Sequence, residues 1–223
     1  MNTLNEMFRK IGKAVLAQVT LACALPLTIP AANLLQNPGF EEPAPGVPPG
    51  KTVSYTMSSC QTGTGGPSAA AGWGIWVNTC GTEVSTTLVP STAPNGGNYM
   101  LHVVTDGLSN GIYENFSSTP QTVSSIWVFV NSGCIGMGTG FYQNTADTDE
   151  MTCLTGQWIH FYSVPNGHSP ATEFLVYAVA DGGNPASATK GADFYVDNGQ
   201  VLGVANDASA NPNADAATEA PGN

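Results

Sequence analysis

The sequence predicts an all-β protein, an antiparallel sandwich, on three observations. No stretch places apolar residues at helical spacing, so no amphipathic helix is expected. Short runs rich in Val, Ile, Thr and aromatic residues recur along the chain, and clusters of Gly, Pro, Asn and Asp separate them at the intervals of an antiparallel sandwich.

Residues 1–32 read as a secretory signal and are set apart from the fold. Arg9, Lys10 and Lys13 supply a basic start, residues 14–29 are mostly apolar, and Ile29-Pro30-Ala31-Ala32 offers small residues for cleavage near position 32. A retained membrane anchor is the competing reading, weakened by Gln18, Pro26 and Pro30, which interrupt and end the apolar run. A lipid anchor on Cys23 fits poorly, because Thr20-Leu21-Ala22 is not a good lipoprotein box. The expectation is a secreted protein, extracellular, periplasmic or at the cell surface, that is not an integral membrane protein once the signal is removed.

Residues 33–203, about 170 of them, are enough for one packed domain. The opening stretch 33–43 joins a Leu34-Leu35 pair to a Pro38-Gly39 turn, with Phe40 followed at once by Glu41 and Glu42. Strands are then expected at 52–57, 73–77, 83–88, 99–104, 111–116, 123–130, 138–142, 158–164, 173–180 and 192–202. In Ile126-Trp127-Val128-Phe129-Val130 one face is aliphatic and the other aromatic, which puts one side in the core and the other on a surface the protein uses. Residues 204–223 are Ala, Asn, Asp and Pro without hydrophobic period and are predicted to be a disordered acidic tail.

Charge narrows the partners. Beyond residue 32 only Lys51 and Lys190 remain against fifteen acids, a net charge of −13 with no arginine. Nucleic acid, anionic lipid and sulfated or uronic polysaccharides need a cationic surface, so a neutral ligand or a cation is favoured instead.

Four cysteines, Cys60, Cys80, Cys134 and Cys153, remain in a chain bound for an oxidising compartment. Three pairings are possible, and loop spans of 20 and 19 residues favour Cys60–Cys80 with Cys134–Cys153. The absence of Cys-x-x-Cys argues against a zinc knuckle or a redox dithiol.

Four stretches carry a family resemblance: Asn33-Leu34-Leu35-Gln36-Asn37-Pro38-Gly39-Phe40-Glu41; Pro94-Asn95-Gly96-Gly97-Asn98-Tyr99-Met100-Leu101-His102-Val103 with Ala71-Gly72-Trp73 before it; Thr155-Gly156-Gln157-Trp158-Ile159-His160-Phe161; and Gly191-Ala192-Asp193-Phe194-Tyr195-Val196-Asp197-Asn198. In this order they resemble the jelly-roll carbohydrate-binding modules found beside xylanases and glucanases, with a galactose-binding-like fold. The resemblance implies a structural calcium held by Glu41, Asp197 and the carbonyl of Asn98 or its neighbour. The pattern departs at Pro38, where the family more often has Gly, and Glu42 could replace Glu41. Two carboxylates from opposite ends of the domain suit an ion that takes six to eight oxygens.

Sugar recognition then falls to aromatics, which stack on apolar ring faces, and to amides and acids, which pair with hydroxyls. The candidates are Trp76, Trp127, Tyr142 and Tyr177, with Gln143 and Asn78 nearby in sequence; Phe40 and Trp158 are assigned to the core, and Trp73 to either the core or a groove edge. Catalysis has thinner support. Asp147, Asp149 and Glu150 form the one acid cluster on a predicted loop, Gly-x-Ser-x-Gly is absent, and His102, His160 and His168 lie on separate segments. The sequon Asn115-Phe116-Ser117 matters in a glycosylating host.

Three functional classes follow. The first is a non-catalytic module that binds neutral polysaccharide such as xylan or β-glucan, with an enzyme or cell-surface partner. The second is an extracellular structural or adhesive sandwich, and the third a small jelly-roll enzyme acting on glycans.

Overall fold

The structure, a computed structural model, describes residues 32–58, 64–119, 121–140, 150–163, 171–180 and 191–204, all within the unit Ala31–Asn223. The signal segment, Cys60, Tyr142, Gln143, Asp147, Asp149, His168 and the acidic tail lie outside the described residues.

Among the described residues twelve strands follow one another: β1 Thr52–Thr56, β2 Thr64–Pro67, β3 Gly74–Val77, β4 Glu83–Pro90, β5 Tyr99–Thr105, β6 Gly111–Thr119, β7 Gln121–Ser132, β8 Ile135–Gly140, β9 Glu150–Thr152, β10 Trp158–Ser163, β11 Ala171–Ala178 and β12 Asp193–Val204. They form two six-stranded antiparallel sheets, β1-β4-β5-β12-β7-β10 and β2-β3-β6-β11-β8-β9. The predicted all-β sandwich is the observed architecture. The chain's last strand sits in the middle of the first sheet, hydrogen-bonded to β5 on one side and β7 on the other.

Alternation within the strands builds the core. Ile126, Val128 and Val130 of β7, Phe194 and Val196 of β12, and Leu101 and Val103 of β5 point inward from the first sheet. From the second they meet Ile75, Ile112, Phe174 and Val176. Burying each such side chain contributes about 1.5–3 kcal/mol. Trp73 is a core residue: it is 3 % exposed, its ring packs on Phe40 at 4.8 Å and Phe174 at 6.2 Å, and its indole N–H donates to the Asn37 carbonyl.

Residues 33–43 clasp the fold without forming a ladder strand. Asn33 bridges Leu202 and Pro43 bridges Ala70, while the chain between them turns through Pro38-Gly39 and sets Phe40 at φ 56°. Pro38 has no N–H to give a ladder, and the left-handed Phe40 breaks the pleat. Asn33 completes the clasp: its amide donates to Gly199 O and accepts from Val201 N–H.

Trp158 differs from expectation. It is half-buried at the start of β10, an edge strand, with its ring edge-on to Phe129 at 5.6 Å on the outer side of the sheet. Its register partner is Phe129, which alternates outward between buried Val128 and Val130, so Trp158 follows it out.

The Cys134–Cys153 disulfide forms as expected. It continues the β8–β9 ladder, whose last pair is Ile135 with Thr152, and so ties a three-residue edge strand to its neighbour. Closing a loop of this size stabilises by about 3 kcal/mol in the chain-entropy view. Cys80 is also disulfide-bonded.

Candidate functional site

Glu41 and Asp197 come together where the opening clasp meets β12. The loop between β4 and β5 runs between them, and a Cβ on Gly96 would strike Asp197 while one on Gly97 would strike Glu41. Only glycine lets the backbone pass this close to both carboxylates. Asn98 donates its side-chain amide to Glu41 at 2.8 Å and Tyr99 its backbone N–H at 3.1 Å. Burial pushes the Glu41 carboxyl up, but these bonds and the Asn98 N–H outweigh it and hold the group below the usual range.

Asp197 is fully buried. It accepts from the Ser91 hydroxyl at 2.5 Å and the Asn198 N–H at 2.7 Å. Its carboxyl is nonetheless pushed up to about 6, first by desolvation and further by the charge on Glu41, against the lowering effect of those two bonds. No lysine or arginine stands among these contacts, and Lys51 is the one such residue described. The Asn98 carbonyl accepts from the Ser91 N–H at 3.0 Å and the Pro94 carbonyl from the Asn198 amide at 3.2 Å, so the surroundings are oxygen-rich. This donor set, all oxygen and doubly anionic, fits a hard cation such as calcium. Among the described residues no group of three or more His, Cys, Asp or Glu forms a metal cluster, so further ligands would be carbonyls, amides, hydroxyls and water.

The predicted sugar-binding aromatics divide between the two outer faces. Trp76 and Tyr177 share the face of the second sheet, whereas Trp127 lies on the first. On the second sheet, Gly111 pairs with Trp76 on one side and Tyr177 on the other, and Gly136 follows Tyr177. In the adjacent row on that face, Gly74, Tyr113, Leu175 and Gly138 follow in turn. In the first row rings alternate with glycines; in the second Leu175 follows Tyr113, whose ring lies over Gly74. A Cβ at Gly111 would collide with the Val176 carbonyl and one at Gly74 with the Tyr113 ring at 2.5 Å, so the packing itself requires these glycines. Trp76 and Tyr113 meet edge to face at 6.2 Å.

An open depression of about 360 Å³ adjoins this face, with Tyr113 and Asn115 on one wall and Gln36, Trp73 and Pro67 among the others. Glu173 pairs with Asn115 in register and is 2 % exposed; desolvation lifts its carboxyl above the ordinary value. Asn78 donates its backbone N–H to the Asn110 side-chain oxygen at 2.7 Å.

Sequence reasoning passed over Tyr113 on this face and, on the other, His160 as the stacking partner of Trp127 together with the neighbouring Phe129, Tyr195 and His102. The Trp127 ring stacks on His160 at 4.7 Å and Tyr195 stacks on His102 at 4.4 Å. Their common signal is strand alternation: Tyr195 lies between buried Phe194 and Val196 just as Trp127 lies between Ile126 and Val128.

No family model and no curated protein matches the chain. Among solved structures it is similar in fold to carbohydrate-binding modules. TmCBM61 in complex with β-1,4-galactotriose matches at TM-score 0.42 and 12% identity, over 78% of this chain and 100% of the other. The family 11 carbohydrate-binding module of Clostridium thermocellum, in complex with a β-1,3-1,4-mixed-linked tetrasaccharide, matches at TM-score 0.42 and 14% identity over 68% and 97%. The CBM22-1–GH10 modules of xylanase 10B from Clostridium thermocellum, complexed with xylohexaose, match at TM-score 0.40 and 13% identity over 55% of this chain. This chain spans 25% of that one.

Proposed function

We propose that this is a secreted, non-catalytic domain that binds neutral polysaccharide of the xylan or β-glucan type on the outer face of the second sheet. The observation that carries the reading is the row Trp76, Gly111, Tyr177, Gly136, in which rings alternate with glycines, with Tyr113 edge to face against Trp76 in the next row. Two rings separated by a glycine leave a slot of roughly 10 Å between strands two apart in the sheet. An uncharged pyranose can lie there against aromatic faces, with its hydroxyls toward Asn115 and Gln36 at the adjoining depression. The scarcity of basic residues agrees with a neutral ligand. Secretion rests on the signal-like first 32 residues and the Cys134–Cys153 bond, which belongs to oxidising compartments.

Calcium supplies the rigid end of this design. Glu41 and Asp197 would hold it, with the loop carrying Gly96 and Gly97 drawn over them. When bound, the ion neutralises the two like charges and joins the opening clasp to the last strand.

Affinity electrophoresis against xylan, cellulose, mixed-linkage glucan and mannan tests the proposal. The wild type should be retarded on at least one of them and Trp76→Ala should migrate freely there. Release of reducing sugar without retardation on any polymer would overturn it in favour of an enzyme.

A further inference from the structure

The outer face of the first sheet carries a second feature that the groove does not use. One continuous row crosses all six strands: Thr52, Thr87, His102, Tyr195, Phe129 and Trp158 are successive register partners. At one end the Thr52 and Thr87 hydroxyls are hydrogen-bonded at 2.8 Å, and the remainder are rings in contact with one another, His102 on Tyr195, Tyr195 on Phe129 and Phe129 on Trp158. Trp127 and His160, stacked, lie beside it. Five strand spacings make the row about 24 Å long.

We infer that this row is a second docking surface for a neutral glycan chain lying across the strands, so that one domain holds two polysaccharide chains on opposite faces. The inference rests on the reading above that the domain binds neutral glycan. Chemistry selects the occupant: the row joins aromatic faces to hydroxyls and carries no lysine, arginine, aspartate or glutamate. A membrane of anionic lipid finds no cation here. Two carboxylates border it: Asp193, occupied by His102 at 2.8 Å and Asn131 at 2.9 Å, and buried Asp197, the register partner of Trp127, which accepts from the Ser91 hydroxyl and the Asn198 N–H. A narrow, long and uncharged strip fits a linear sugar polymer.

Calorimetric titration of the full chain with xylohexaose and cellohexaose, beside turbidity with the soluble polymers, tests it. Wild type should take two oligosaccharides per chain and crosslink a soluble polysaccharide. Trp158→Ala on edge strand β10 and Trp76→Ala in the groove should each leave one site and abolish crosslinking, with the affinity of the altered site down at least tenfold. Should Trp158→Ala unfold, Thr87→Val at the far end of the row should weaken the same site several-fold. One site per chain in wild type, lost in Trp76→Ala and unchanged in the row variants, overturns the second surface and leaves the groove standing. A row variant that alters only self-association in sedimentation overturns it in favour of a second copy. No binding by wild type overturns both readings.

Discussion

Glu41 and Asp197 stand at opposite ends of the domain's sequence, yet in the fold the charge of Glu41 raises the pKa of Asp197. A pair of this kind stores repulsion that only a proton or a cation relieves, and the outcome depends on which is supplied.

With calcium present the melting temperature should rise, and a chelator should reverse it. At a hundredfold excess over Kd the gain is about 2.7 kcal/mol for a ligand that binds only the native state. Asp197→Asn should remove the response. Identical scanning calorimetry traces for wild type with and without chelator would show the site to be wrong.

The pH dependence of the chelated protein should run opposite to ordinary acid denaturation. The folded pKa of Asp197, about 6, exceeds the reference value of 3.8, so its favourable contribution is complete below 3.8 and is lost as pH rises through about 6. Two units correspond to about 3 kcal/mol. Buried Glu114 and Glu173, both raised by desolvation, act in the same direction. Glu41, held low, acts oppositely and loses its contribution as pH falls below its reference value of 4.5. Urea midpoints in chelator should therefore fall from pH 5 to pH 7.5, and calcium should invert that slope because it requires the deprotonated carboxylate.

Gly97→Ala places a methyl group into the Glu41 carboxylate. Overpacking of this kind costs about 1–3 kcal/mol, and the displaced carboxylate should also lose calcium. A chemical melt with and without calcium reads both effects; a variant as stable and as responsive as wild type would contradict the cradle.

Glu114 is fully buried, accepts from the Gln36 N–H with one oxygen, and leaves the other without a partner. Burial raises its carboxyl despite the Gln36 and Asn37 N–H groups. Glu114→Gln keeps an acceptor for Gln36 and removes the charge. It should raise stability by about 1–2 kcal/mol at pH 8 and change little at pH 4, where the wild-type acid is itself neutral. Urea melts at the two pH values check this, and an equal shift at both would refute it.

Trp76→Ala and Tyr177→Ala, each removing one wall of the Gly111 slot, should weaken oligosaccharide binding about 10- to 100-fold with little change in melting temperature. Titration calorimetry separates loss of binding from loss of fold.

Of the twelve strands described, nine were legible because their residues are β-branched or aromatic and bounded by turn residues, and a tenth, glycine-rich β8, was expected at 138–142 but opens three residues earlier at Ile135. The two that were not show what the pattern cannot carry. β2 is Thr-Gly-Gly-Pro, with no side chain to alternate, and exists through its pairing with β3; Tyr55 packs over Gly66. β9 is three residues opening on Glu150, part of what reads as an acidic loop, and is paired to β8 beside the disulfide. The candidate site was legible as residues and not as places. Trp76, Trp127 and Tyr177 look alike in sequence, and only the sheet order puts Trp127 opposite the other two. Tyr113 was passed over for the same reason, since its weight comes from the glycines of neighbouring strands.

The central position of β12 also governs how the chain acquires its structure. Until that strand arrives, the first sheet is two fragments, β1-β4-β5 and β7-β10, each with a raw edge where β12 will sit. Asp197 comes with it, as do the partners of Asn33, so sheet closure, the carboxylate pair and the clasp all wait for β12. Such non-local pairing belongs to folding in milliseconds to seconds rather than microseconds. A chain threaded through a membrane from its first residue would thus keep this sheet open until β12 had crossed.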